Sequence, residues 1–329
     1  MDWGALLMRI ATFNVQNLRL RHEDDGKRLD GALDRDSELR PDRRLDILDR
    51  RLTAEIIAQM DADILCLQEV FDLATLEFFQ DNFLQRTGFR AYNYYVCESG
   101  NDGHGLNVAV MARRAPDRIV SHAKATARDL QLDDPQNVLR GGPVFRRDCL
   151  EVGFGAVTLF VCHLKAPYPD WSRAAAIRAL EAEAIRQIVE AHTRDPGTEL
   201  WMILGDLNTP VGTEPAKDAA LSPLLEGLAV DLMNRVRQGD DWTYVMPDSG
   251  ARLRPDAMLA SPALANLTGQ TPPTIERGGM ARGTAHGSGG SVSMVGAMRP
   301  HASDHAAIWI DLPDEVFLGG AAQERGGRR

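Results

Sequence analysis

The sequence predicts an α/β fold, and two observations carry that prediction. Short apolar runs bounded by Gly, Pro or polar residues, which read as buried strands, alternate with segments of helical periodicity, and no linker-like stretch divides the 329 residues. Polar groups also sit at the ends of these runs: Asn14 after 8–13, Glu69 after 64–68, Asp206 and Asn208 after 200–205, and Asp304-His305 before 306–310. Oxygen ligands and an imidazole gathered at one sheet edge suit a hard divalent cation and a phosphate.

In chain order, residues 8–13 form the first strand and 19–44 read as a solvated loop or insertion, being highly charged with little apolar periodicity. Leu45, Leu48, Leu52, Ile56 and Met60 recur at helical spacing and lead into the Glu69 strand, completing a strand–helix–strand unit. Residues 107–112 read as a strand, and 149–154 with 157–163 as a pair joined by Gly153-Phe154-Gly155. A helix over 171–192 presents Ile177, Leu180, Ala184, Ile185 and Ile188 on one face. Pro196-Gly197 ends it before the strand at 200–205, and 257–260 form a short strand closed by Ser261-Pro262. Residues 268–299, rich in Gly, Ser and Thr, read as a long mobile loop with few side chains able to fill a core. Its ends are tethered beside the polar cluster, where a lid, a substrate-selecting wall or an inert insertion would sit. The expected organisation is one domain over 1–317 and a disordered tail over 318–329.

A net charge of −10 and a pI near 5.3 argue against a surface that holds nucleic acid by broad phosphate neutralisation, though a basic cleft on an acidic body stays compatible. Cys66, Cys97, Cys149 and Cys162 lack CxxC spacing and read as reduced core residues. Ala5-Leu6-Leu7-Met8 is too short for a signal sequence, and no stretch approaches the roughly 20 apolar residues of a membrane span. The cytoplasm is the expected location, with no obligate protein partner evident.

Six short motifs follow one another along the chain: Thr12-Phe13-Asn14-Val15, Leu67-Gln68-Glu69-Val70, His163-Leu164-Lys165, Gly205-Asp206-Leu207-Asn208-Thr209-Pro210, Arg254-Pro255-Asp256 and Ser303-Asp304-His305. Any one could arise by chance; the set and its order resemble the endonuclease/exonuclease/phosphatase superfamily, and its bacterial nuclease-like branch in particular, over residues 9–311. The resemblance implies a four-layer α/β/β/α sandwich of two mixed sheets packed face to face. It also implies hydrolysis of phosphate esters with a divalent cation, Mg²⁺ or Mn²⁺.

By resemblance Glu69 is the principal metal carboxylate, with Asn14 beside it and Asp304 nearby. Read alone, Glu69 would be an exposed carboxylate after a strand and Asn14 a turn former. Asp206 and Asn208 stand two apart, so in extended backbone their side chains share one side; in the family this pair orients and deprotonates the attacking water. The same residues also suit an Asx-type turn. The resemblance has Asp256 accept a hydrogen bond from His305, although Pro255 and Ala257 depart from the usual aromatic or larger aliphatic context. His305 is suited to bind a phosphate oxygen or move a proton. His163 resembles a histidine that donates to the phosphate, against the alternative of a satisfied core imidazole, and Lys165 would stabilise phosphate charge. Arg147 falls where many relatives carry an arginine, although a solvated charge beside Arg146 reads equally well. Asn107, closing a run that resembles a substrate-side loop, is the expected substrate contact.

Three functions fit: a phosphodiesterase acting on DNA or RNA, which leads; an enzyme for a lipid headgroup, inositol phosphate or nucleotide; and a binding protein that has lost the chemistry.

Overall fold

The computed structural model describes residues 6–24, 26–33, 42–209, 219–282 and 294–318. Among them, two six-stranded mixed sheets dominate. The first has the order β15 (Thr274–Glu276), β16 (Ala307–Pro313), β1 (Leu7–Leu18), β4 (Ile64–Val70), β6 (Asn107–Ala112) and β5 (Tyr94–Val96). The second runs β11 (Val230–Asp231), β14 (Asp256–Ala260), β10 (Leu200–Asp206), β9 (Val157–His163), β8 (Cys149–Phe154) and β7 (Arg118–Ser121). Two hairpins flank them, β2 (Leu20–Glu23) with β3 (Gly26–Leu29), and β12 (Tyr244–Val245) with β13 (Arg252–Leu253).

The period of two in each strand builds the layers. Ile64 and Cys66 of β4, Leu159 and Val161 of β9, and Met202 and Leu204 of β10 meet in one core between the sheets. Their alternating neighbours face outward. Leu65 and Leu67 pack under α1 (Arg43–Met60) and α2 (Leu73–Asn82), while Phe160, Trp201 and Ile203 pack under α3 (Trp171–His192). This is the four-layer sandwich. Each helix starts at an aspartate that accepts backbone N–H groups of its first turn: Asp42 from Arg44 and Leu45, Asp72 from Thr75, Asp170 from Arg173. Such caps each stabilise by about 1 kcal/mol.

Two sequence expectations need correction, and one helix was passed over. The stretch 19–44 is not solely loop: β2 and β3 pair within it and α1 begins at Arg43, while 34–41 lie outside the described residues. Helix α2 carries too short an apolar stripe to stand out by periodicity. The segment 268–299 contributes β15 to the first sheet and buries Met280 and Val295, although 283–293 lie outside the described residues. Its glycines serve close packing there: a Cβ on Gly279 would lie 2.6 Å from Ile56 Cγ1 and 2.8 Å from Ala302 Cβ. Of the expected tail over 318–329, Leu318 is described and 319–329 lie outside the described residues. All four cysteines are free thiols. No helix among the described residues is long and apolar enough to cross a membrane.

Candidate active site

The same two-residue period that fills the inter-sheet core carries polar groups past its rim. On β10 the inward series Met202, Leu204 continues to Asp206; on β9, Leu159 and Val161 continue to His163; on β14, Met258 is preceded by Asp256. Asp206 is the register partner of both His163 and Asp256, so three strands deliver their side chains to one point. From the facing sheet, Asn14 Nδ2 reaches across to donate to Asp206 Oδ2 at 3.1 Å and to Glu69 Oε1 at 3.2 Å.

Glu69 arrives by a different device. Alternation from Gln68, which points between the sheets to pair with Thr12, would send Glu69 outward. Instead the β4–β6 register shifts between Gln68 and Val70, and Glu69 adopts φ +65°. A bulge of this kind re-aims a side chain. Asn17 N–H then donates to Glu69 Oε2 at 2.9 Å. The Asn17 segment is itself left-handed, with φ +46° at Gln16 and +57° at Asn17. Such conformations cost on the order of 1–3 kcal/mol each and persist only when held from outside. Arg50, fully buried on α1, supplies that hold by donating to the carbonyls of Val15, Gln16, Asp30 and Gly31 at 2.6–2.8 Å.

The Ser303-Asp304-His305 run is fastened to β1. Ser303 Oγ donates to Asn14 O at 2.6 Å, and Gln16 Oε1 accepts the Asp304 N–H at 3.2 Å. His305 Nδ1 meets Asp256 Oδ2 at 2.9 Å, and the same oxygen accepts Thr243 Oγ1 at 2.5 Å. This aims His305 Nε2 at Asp206 Oδ2, 3.8 Å away, with the Tyr244 ring tilted against the imidazole at 4.9 Å between centroids. Burial disfavours the imidazolium, but Asp256 and Asp206 outweigh it and raise the His305 pKa well above its ordinary value. His163 is opposite in sign: burial, then Arg147, His305 and Lys165, lower its pKa well below the ordinary value. Its Nε2 lies 3.4 Å from Asp206 Oδ2. Asp206 is raised to about 6, chiefly by burial and further by Asp256, against the opposing pull of His305, Asn208 and Asn14.

Asn208 N–H donates to Asp206 Oδ1 at 2.9 Å with φ +51° at Asn208, so the Asx-type turn is realised and the backbone is not extended there, although both side chains line the cavity. Asn208 Nδ2 and Arg147 Nη1 converge on the Leu164 carbonyl at 3.1 and 3.2 Å. Gly205 makes this approach of strands feasible. At φ +134° a Cβ there would lie 2.0 Å from Cys162 O, and Gly205→Ala should therefore destabilise the fold by roughly 2–5 kcal/mol, read by chemical denaturation.

Two sequence-selected residues are occupied otherwise. Asn107 Oδ1 accepts Gly100 N–H at 2.8 Å and its Nδ2 donates to Phe71 O at 2.7 Å, so it pins the 100–107 loop to the end of β4. Lys165 Nζ donates to Ala166 O at 2.7 Å and Tyr168 O at 2.5 Å, and its pKa is lowered by burial and Arg147. Neither lines the cavity, of about 540 Å³, onto which Glu69, Arg147, His163, Asp206, Asp304 and His305 open. Sequence reasoning passed over Thr243 and Tyr244, which orient the Asp256–His305 pair; the Trp242-Thr243-Tyr244 cluster ahead of Asp256 was the available signal. It also passed over Trp171 and Arg178 on α3, which line the cavity.

Among the described residues, ligand-type atoms of Asp206, Asp256 and His305 lie within 4.8 Å of one another. His305 Nδ1 and Asp256 Oδ2 are spent on each other, and Asp206 Oδ2 faces His305 Nε2 as an ion pair at 3.8 Å. The hard oxygens of Glu69 and Asp304 on the cavity wall fit a divalent cation better. Asn14 presents Nδ2 to the carboxylates, its Oδ1 accepting the Gln16 N–H at 3.0 Å, so its oxygen would face a cation at Glu69 only after the amide turns over.

A sandwich with carboxylates, amides and imidazoles at its strand ends defines a phosphoesterase of the metal-dependent kind. The chain belongs to the endonuclease/exonuclease/phosphatase family, whose model matches residues 11–305. An AP endonuclease from Archaeoglobus fulgidus shares the fold at TM-score 0.58 and 16% identity, over 93% of this chain and 99% of that one. A 3′ phosphatase from Neisseria, bound to product DNA hairpin, gives 0.54 and 18% over the same shares. A family protein from Beutenbergia cavernae gives 0.53 and 20%, over 96% of this chain and 72% of its own. No curated protein matches the chain in sequence.

Proposed function

We propose that the chain hydrolyses phosphodiesters by direct attack of water on phosphorus, with Asp206 as the base. The observation that supports this most is the placement of Asp206 between a cationic and a neutral imidazole, its pKa raised to about 6, at the polar end of an open cavity. A base with a pKa close to the working pH combines availability with driving force. Above pH 6 Asp206 accepts a proton from water as the water oxygen forms its bond to phosphorus. The bond from phosphorus to the ester oxygen breaks, the departing alkoxide takes a proton from solvent water, and Asp206 returns its proton to solvent. His305, held by Asp256, carries positive charge toward the reacting group, and Asn208 with neutral His163 are hydrogen-bond donors to phosphate oxygens. Glu69 and Asp304, with Asn14, would hold Mg²⁺ or Mn²⁺, which supplies Lewis-acid stabilisation of phosphate charge when bound.

Nucleic acid is a second reading of the substrate, favoured by what similar structures are called: an AP endonuclease, and a phosphatase bound to DNA. A panel of single- and double-stranded DNA, RNA, sphingomyelin, inositol phosphates and simple dialkyl phosphates, each with Mg²⁺ and Mn²⁺, tests both readings. Turnover of at least one diester that vanishes with chelator is expected; hydrolysis restricted to monoesters would remove the diester assignment.

A further inference from the structure

The cavity has two unlike ends. One is the polar cluster around Asp206. Away from it, α3 supplies Trp171, Ala175 and Ala179, four residues apart and so stacked on one face of the helix. The hairpin β12–β13 and its turn supply Met246 and Leu253 to the same cavity, and Tyr168 stands at its mouth, edge-on to Trp171 at 5.6 Å between centroids. Among the described residues Tyr168 and Trp171 are 57% and 51% exposed, two large aromatics standing together at the surface. Arg178, 6% exposed on the same helix, spends Nη1 on Lys165 O at 2.9 Å, and its Nε has no partner among the described residues. Arg147 Nε and His163 Nδ1, both buried and belonging to cavity-lining residues, are also unpartnered. Unmet donors at the polar end and an apolar slot continuous with it describe a ligand that is anionic at one end and apolar at the other.

We infer that the ester cleaved here carries an apolar alkyl or aryl arm, seated between the Trp171-Ala175-Ala179 face and the Met246–Leu253 wall. The inference rests on the phosphodiesterase reading for its chemistry, while the slot itself does not depend on turnover. Among the described residues the slot's polar groups are Arg178, the Trp171 indole N–H and the Tyr168 hydroxyl, few against the donor and acceptor edge of a base, so the slot favours an apolar arm over a nucleotide.

The test uses the full chain with Mn²⁺. Turnover of dimethyl, diethyl and dibutyl phosphate is followed by mass-spectrometric release of the monoester, and affinity for methyl- and butylphosphonate by calorimetry. Each buried methylene is worth up to about fourfold, so kcat/KM should rise at least about tenfold from dimethyl to dibutyl phosphate, and butylphosphonate should bind at least about tenfold tighter than methylphosphonate. Filling the slot with Ala175→Leu and Ala179→Leu, or roughening its far wall with Met246→Ser, should bring both ratios toward one. The half-buried alanines make the leucines tolerable, and the Met246 variant tests the opposite wall independently.

Equal affinities for the two phosphonates overturn the inference whatever the turnover. So does a DNA oligonucleotide cleaved with a kcat/KM above that of dibutyl phosphate. Absence of turnover on every diester, alongside a butyl preference that the variants abolish, would sink the phosphodiesterase reading and leave the slot assignment standing.

Discussion

Replacing Glu69 by glutamine should abolish high-affinity Mn²⁺ binding and lower kcat by at least about a thousandfold, the scale of several kcal/mol of lost charge stabilisation. The carboxylate is delivered by a bulge at φ +65° and fixed by two donors, Asn14 Nδ2 and the Asn17 N–H, one on each oxygen. Glutamine keeps the length but has one acceptor for two donors and no charge for a hard cation. One donor is left unmatched, so a loss of about 1–2 kcal/mol in stability accompanies the change. Calorimetric titration with Mn²⁺ is the primary measurement, and a near-native melting transition shows that the variant is folded. Metal affinity within twofold of wild type would move the cation away from Glu69.

How the site became legible follows from strand alternation. Asn14, His163 and Asp206 continue the inward series of their strands, so an apolar run ending in a polar residue was enough to mark them in the sequence, whereas Asp256 precedes its run and came in only through the motif series. Glu69 breaks alternation, and its backbone bulge left no local mark; the end of the apolar run 64–68 and its place in the motif series marked the residue but not the direction its side chain takes. Asn107 shows the converse. It stands at a strand start beside a glycine-rich loop, as a substrate contact would, yet both ends of its amide are consumed by backbone groups. A hydrogen bond to a main-chain group distant in sequence has no composition or spacing to betray it. Residues 268–299 were misleading for a related reason: glycine records close approach as readily as freedom, and at Gly279 the neighbours Ile56 and Ala302 come from α1 and from the approach to β16. The apolar slot was hidden as well, since Trp171, Ala175 and Ala179 read as an unremarkable stretch of helix until Met246 and Leu253 are brought opposite them.

Asp206→Asn should lower kcat by at least about a hundredfold, the lower range for a positioned base, and should remove the acid limb of the pH profile. In the wild type, log kcat/KM is expected to fall with unit slope below about pH 6, because burial first, and Asp256 next, lift the carboxyl from 3.8 to about 6. The residual rate of the asparagine variant should be flat through that window. Stability of the metal-free protein gives a second readout with a definite sign. A carboxyl whose pKa is higher folded than unfolded binds more protons in the folded state between the two values, so its contribution is fully present below 3.8 and is lost as pH rises through 6. The stability of wild type relative to the asparagine variant should therefore decline across that interval, by about 3 kcal/mol in all. Denaturation of both proteins at several pH values between 4 and 7.5 measures the decline. A difference that instead grows with pH would mean that Asp206 is held ionised by its donors and is poised as a ligand rather than as a base. An acid limb that survives in the variant would assign that titration to another group.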